Sequence, residues 1–173
     1  MTAISESAWI GLGSNRDGPV GQVRSALDAL DQLPRTRLAR ASTLYRNPPM
    51  GPPDQPDYVN AVAELATALT AHQLLAHLQV IEADRGRERT GERWGSRPLD
   101  LDLLVYGAQR IADPDLTVPH PGVPERAFVL YPLVEVAPQL WVPGMGWASE
   151  LARALPGADL EPIPEQEQAH SDS

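Results

Sequence analysis

The chain of 173 residues contains no cysteine, and all 14 of its basic residues are arginine, so lysine is missing as well. The first absence excludes thiol nucleophiles, disulfide frameworks, cysteine-ligated zinc and iron–sulfur clusters. The second excludes a Walker A phosphate lysine, a Schiff-base lysine and a pyridoxal anchor. Aromatic residues make up only 5%, too few to pave a sheet face for RNA. Positive charge is scarce: the formal charge of -9 argues against a general nucleic-acid or anionic-membrane binder, because phosphate backbones need a basic face. No stretch approaches the ~18 apolar residues of a membrane span, and no basic flank precedes an apolar run at the N-terminus. These absences leave one soluble, cytoplasmic domain. A chain of this length buries roughly 70% of the surface it exposes when unfolded, so its core needs no disulfide or structural metal.

What is present is patterned. Ala8 to Gly13 reads as a buried strand, broken by Ser14, Asn15 and Gly18. Val23, Ala26, Leu27, Leu30 and Leu33 then recur at helical spacing until Pro34. Arg37 to Arg46 is a ragged strand, and residues 47 to 57 form an extended loop with five prolines. Tyr58 to Leu69 is a strand. Thr70 and Gln73 stand in capping-box positions before a helix with the apolar face Leu74, Leu75, Leu78, Ile81. Leu99 to Tyr106 is the clearest strand. A short strand near Arg110 to Ala112, a helix over Glu125 to Val136 and a short helix over Ala148 to Leu155 follow. The order βαββαβ implies an α+β, ferredoxin-like core, a mostly antiparallel sheet with both helices on one face and C-terminal additions. Residues 1–157 form this single domain. Residues 158–173, with five acids in the last fifteen positions and no base, read as a flexible, solvated tail whose removal leaves stability unchanged.

Asp100 and Asp102 carry the chemistry. At i and i+2 on a strand they share one face, while Leu99, Leu101 and Leu103 face the core. Carboxylates so placed can hold hard cations such as Mg²⁺; a plain amphipathic strand with a polar outer face is the alternative, and the pair alone does not decide between them. The preceding loop favours the first reading, because Arg85, Arg87, Arg89, Arg93 and Arg97 face only Glu88 and Glu92. Guanidinium forks grip phosphate oxygens, so metal-bridged polyphosphate is the natural ligand. Trp94 could stack on a planar ring or anchor the loop. Tyr58 and Asn60 offer an aromatic face and an amide edge suited to a flat heterocycle. His120 is a lone histidine between prolines, and His72, His77 and His170 show no zinc spacing with it.

Taken in order, GLGSN at 11–15, NPPMGPPDQPDYVNA at 47–61, ERWGSRPLDLDLL at 92–104 and LTVPH at 116–120 resemble the 6-hydroxymethyl-7,8-dihydropterin pyrophosphokinases of folate biosynthesis. The likeness covers about the first 145 residues. It implies transfer of pyrophosphate from ATP to the pterin hydroxymethyl oxygen, with release of AMP. It implies two Mg²⁺ ions on Asp100 and Asp102, and Arg87 and Arg97 as catalytic loop arginines. ATP contacts are expected from Gln79, Glu82, Arg89, Trp94, Arg97, the backbone around Leu103, Thr117, His120 and Arg126. The pterin is expected among Asn47, Pro48, Met50, Tyr58, Asn60, Trp94 and Phe128. The partners implied are ATP and the pterin alone, with no nucleic acid or membrane, and the chain acts as a monomer. Asn47 stands where the family often has threonine, Pro121 where tyrosine is frequent, and Asp115 where some members have arginine. The rivals are a two-metal phosphodiesterase, which lacks a basic track for a polynucleotide, and a non-catalytic ferredoxin-like binding module.

Overall fold

The apolar run at the N-terminus becomes the centre of the sheet. In the computed structural model, which describes residues 5–16, 18–48, 57–86, 99–156 and 160–164, the chain runs β1 (Glu6–Ser14), α1 (Pro19–Asp31), β2 (Thr36–Ala41), β3 (Tyr45–Asn47), β4 (Tyr58–Thr67), α2 (Ala71–Gly86) and β5 (Asp100–Tyr106). The hairpin β6 (Ile111–Asp113) and β7 (Leu116–Val118), α3 (Ala127–Val136), the hairpin β8 (Trp141–Val142) and β9 (Gly146–Trp147), α4 (Ala148–Arg153) and β10 (Glu161–Pro162) follow. The main sheet has the order β10-β3-β4-β1-β5, with β2 also on β4, and every pairing is antiparallel. The expected βαββαβ core and its antiparallel sheet are therefore present.

Alternation along the strands sorts side chains to two faces. Ala8, Ile10 and Leu12 of β1, Val59, Ala61, Ala63 and Leu65 of β4, and Leu101 and Leu103 of β5 pack with Val20, Val23, Ala26 and Leu30 of α1 and Leu74, Leu78 and Ile81 of α2. Trp9, Val62, Leu104 and Val105 turn the other way, against Val129, Leu130, Leu133 and Val136 of α3 and Ala148 and Ala152 of α4. Both expected helices thus lie on one face, and the C-terminal additions build a third layer on the other. The switch within β5 is a bulge: Ile10 pairs with Leu103 but Trp9 with Val105, so Leu104 and Val105 together face α3 and Tyr106 returns to the first core.

Local signals account for the helix ends. Pro19 opens α1 behind Gly18, whose φ of 69° suits a residue without Cβ. The capping box of α2 is reciprocal: Gln73 N–H donates to Thr70 Oγ1 at 3.1 Å and Thr70 N–H to Gln73 Oε1 at 2.9 Å.

Three expectations change. The ragged strand at 37–46 is two strands, because the Ser42 side chain takes over the ladder: Val62 N–H donates to Ser42 Oγ at 2.9 Å. The helix expected from Glu125 starts at Ala127, since Val123–Glu125 is a 3₁₀ turn and the Arg126 backbone is extended. The acidic C-terminal segment is not wholly solvated: β10 pairs with β3, Ile163 N–H donates to Leu44 O at 2.8 Å, and the Ile163 side chain is buried in the first core. An open strand edge recruits whatever chain can pair with it, and the one isoleucine among the acids supplies the anchor.

Candidate active site

α3 covers only part of its face of the sheet, and the uncovered part is the site. The strand register places its side chains in rows. Asp100 lies opposite Gly13, Gly13 opposite Asn60, and Asn60 opposite Tyr45; two residues to one side of this row Asp102 lies opposite Gly11, and two residues to the other side Asn47 lies opposite Tyr58. Glycines on the central strand keep its surface bare between the carboxylates and the amide. A Cβ on Gly13 would sit 2.9 Å from Asn60 Oδ1, closer than real Cβ contacts come, so any side chain there would push the Asn60 amide from its place. One on Gly11 would press on the Leu104 side chain at 3.3 Å.

The result is a cavity of about 240 Å³ lined, among the described residues, by Gly11, Leu12, Gly13, Asn47, Tyr58, Asn60, Ala61, Asp100, Asp102, Arg126, Phe128 and Val129. Seven sequence-predicted residues from four separate stretches meet here: Asn47, Tyr58, Asn60, Asp100, Asp102, Arg126 and Phe128. The volume is below the ~300–1,000 Å³ common for drug-sized ligands. It suits a single flat ring system, with any longer co-substrate extending beyond it.

The cavity has two chemically different ends. At one, Asn60 is only 5% exposed and Asn47 8%; the Asn60 amide donates to Asn47 Oδ1, and Asn47 Nδ2 donates to Pro48 O at 3.2 Å. This pairing aims the Asn60 carbonyl toward the bare sheet as an acceptor. At the other end stand Asp100 and Asp102, both partly exposed on the same face of β5, with glycine rather than a side chain beside them. Oxygen donors on one face with open space next to them fit a hard divalent cation.

Arg126 lies between. Its guanidinium is 5.9 Å from the Phe128 ring centroid and packs over Gly122, where a Cβ would come within 2.8 Å of it. His120 is anchored by its N–H to Leu104 O at 2.8 Å, and its Nδ1 accepts Gly122 N–H at 2.9 Å. Burial pushes its pKa below the ordinary 6.5, the Asp102 charge opposing that shift and Arg126 adding to it. The imidazole is therefore neutral, with its proton on Nε2.

Other expected residues lie elsewhere. Gln79 is exposed on α2, and Thr117 is exposed on β7. Glu82 holds the di-acid strand: its Oε2 accepts Leu101 N–H at 2.8 Å. The Leu103 side chain is buried in the opposite core, and Pro48 is exposed, its carbonyl bonded by Asn47. Arg87, Arg89, Trp94, Arg97 and Met50 lie outside the described residues. His72 is exposed and forms a pair with Asp113 at 2.9 Å. With Asp115 it is a cluster of possible ligands on the surface, away from the cavity. Asn15 escaped the sequence reading as more than a strand breaker: it is buried, and among the described residues neither amide atom has a hydrogen-bond partner, which marks a group with hydrogen-bonding capacity to spare there. Gly11 and Gly13 were visible as letters, but their role depends on what stands on the neighbouring strands.

Known proteins resemble this chain over most of its length. The model of the 7,8-dihydro-6-hydroxymethylpterin-pyrophosphokinase (HPPK) family matches residues 9–138. A 2-amino-4-hydroxy-6-hydroxymethyldihydropteridine pyrophosphokinase of Pseudomonas aeruginosa is 46% identical over 159 residues, covering 92% of this chain and 98% of that protein. The Haemophilus influenzae protein of the same name is 47% identical over 147 residues, covering 85% and 91%. Among solved structures, Plasmodium falciparum HPPK-DHPS shares the fold with a TM-score of 0.69 at 12% identity; the match covers 87% of this chain but only 43% of that one. The chain belongs to the 7,8-dihydro-6-hydroxymethylpterin-pyrophosphokinase family.

Proposed function

We propose that the cavity on the α3 face is where this enzyme works on its pterin. The chain is an ATP-dependent pyrophosphokinase of folate biosynthesis, transferring pyrophosphate from ATP to the hydroxymethyl oxygen of 6-hydroxymethyl-7,8-dihydropterin. The oxygen attacks the β-phosphorus, the bond from that phosphorus to the α-bridging oxygen breaks, the hydroxyl proton is lost and AMP leaves. One observation carries the assignment of the site: an amide acceptor, two aromatic rings and two carboxylates, from three stretches of chain, line a single ring-sized cavity.

The flat pterin lies over Gly11 and Gly13, between Tyr58 and Phe128. Its donor edge faces Asn60, whose burial makes an unpaired amide costly and a matched ring selective. That orientation points the hydroxymethyl group toward Asp100 and Asp102. Two Mg²⁺ held by these carboxylates would neutralise the polyphosphate. Arg126, within the cavity, and Arg87, Arg89 and Arg97 from the loop add positive charge where negative charge spreads in the transition state. Phosphoryl chemistry asks the protein mainly for alignment and neutralisation, so no covalent nucleophile is needed. His120 serves the nucleotide as a neutral Nε2–H donor. We further propose that the chain acts as a monomer, since one copy by itself supplies the amide, the aromatic rings and the carboxylates that the cavity needs.

The test is incubation with Mg·ATP and the pterin, resolving nucleotides by chromatography. AMP that appears only with the pterin supports the proposal. ADP, or release of AMP regardless of the pterin, overturns it.

A further inference from the structure

β3 is short, yet it forms one wall of the cavity. It has three residues, and Ser42–Leu44 separate it from β2. Its partners on β4 are the residues of the amide end: Tyr45 opposite Asn60, Arg46 opposite Val59, Asn47 opposite Tyr58. A displacement of β3 therefore moves Asn47 and loosens its bond to Asn60.

A single carboxylate ties this strand to the opposite wall. Glu135, near the end of α3, accepts three bonds: Tyr45 O–H at 2.6 Å on Oε1, and Thr43 N–H and Thr43 Oγ1–H, each at 2.9 Å, on Oε2. Thr43, Tyr45 and Asn47 follow one another at alternate positions, so they share the α3 side of the sheet. The helix that carries Glu135 begins beside Arg126 and carries Phe128 in its first turn. The tether is thus about two helical turns from the cavity and joins the strand that ends in Asn47 to the helix that starts with the aromatic wall.

We propose that Glu135 is a positioning residue for pterin binding: it fixes the spacing between β3 and α3, and through Asn47 the aim of the Asn60 amide. The inference rests on the cavity being the pterin site. It requires that loss of the tether weaken the pterin and spare ATP, whose expected ligands run from Gln79 to Arg126 with none on β3.

Three variants test it, each measured for kcat, for both KM values and for the pterin Kd by titration calorimetry. In Glu135→Ala the pterin KM and Kd rise about tenfold, the range expected when charge-assisted bonds are lost, while the ATP KM and kcat stay near wild type. Tyr45→Phe removes one hydroxyl and raises the pterin values about threefold; it decides the matter if Glu135→Ala does not fold. Arg40→Ala breaks a different tie of the same helix, from Arg40 Nη1 to Val136 O at 3.3 Å, and lowers the melting temperature with no change in pterin KM. The proposal is overturned if Glu135→Ala and Tyr45→Phe leave pterin binding unchanged, if both KM values rise together, or if Arg40→Ala raises the pterin KM as much as Glu135→Ala does. A wild-type enzyme without pterin-dependent AMP sinks the underlying site assignment instead.

Discussion

The two faces of the sheet are made by the same strands and do opposite things. Toward α1 and α2, Ala8, Ile10, Leu12, Val59, Ala61 and Leu65 alternate inward without interruption, and the side chains they meet on the helices are buried. Toward α3, the same strands present Trp9 and Val62 at one end but Gly11, Gly13, Asn60, Asp100 and Asp102 at the other. Closing the first face completely leaves the second free to be half empty. Apolar burial supplies most folding free energy, so polar groups and bare glycines are tolerable where a separate core already holds the strands in register.

If the faces divide stability from chemistry, substitutions on each should move different observables. The largest effect belongs to the open face. Asp102→Ala is expected to lower turnover on the order of 10³-fold, as loss of preorganised charge stabilisation does, with the melting temperature unchanged; normal turnover would refute the ligand assignment. On the closed face, Leu78→Ala, at a position with no exposure, should cost about 2–5 kcal/mol of stability while both KM values hold, a split read from denaturant titration alongside steady-state kinetics. Gly13→Ala tests where the faces meet. Its Cβ must displace Asn60 Oδ1, so kcat/KM for the pterin should fall about 10²-fold with a smaller change in stability; an unaffected pterin KM would mean the amide does not read the ring. Smallest is removal of residues 160–173, which takes Ile163 from the closed face. Burial of one isoleucine is worth about 1.5–3 kcal/mol, seen as a melting temperature lower by roughly 3–12 °C. An unchanged melting temperature would return this segment to the solvated tail that its composition suggests.

Legibility in the sequence followed the range of the interactions. The capping box of Thr70 and Gln73, the alternation around Asp100 and Asp102, and the apolar stripe of α2 are local, and each was readable from spacing alone. Ser42 splitting a strand in two depends on Val62, twenty residues away, and the anchoring of Ile163 depends on the free edge of β3. Glu135 looks like any exposed acid on a helix until Thr43 and Tyr45 are placed against it. The same holds inside the site: Asn60 in an apolar strand already asked for a partner, but that partner, Asn47, lies across a proline-rich loop. Family likeness bridged much of this distance by naming residues together, without saying which of them hold each other in place.

The bulge at Leu104 gives β5 two phases. Before it, even-numbered residues face the cavity and odd-numbered ones the α1–α2 core; after it the parity is reversed, and Tyr106 drops its hydroxyl onto Leu69 O inside that core. The bulge is what lets a strand with this extra residue still offer two carboxylates to a ligand at one end and a tyrosine to the interior at the other. Deleting Leu104 would return β5 to plain alternation with the facing unchanged, Asp100 and Asp102 toward the cavity, Leu103 inward, Val105 toward α3 and Tyr106 inward, at the loss of one buried leucine against α3. Within this strand the shape of the backbone is under tighter constraint than its length: straightening the bulge with all seven residues kept would turn either the acids or Tyr106 to the wrong face, whereas shortening the strand at Leu104 would not.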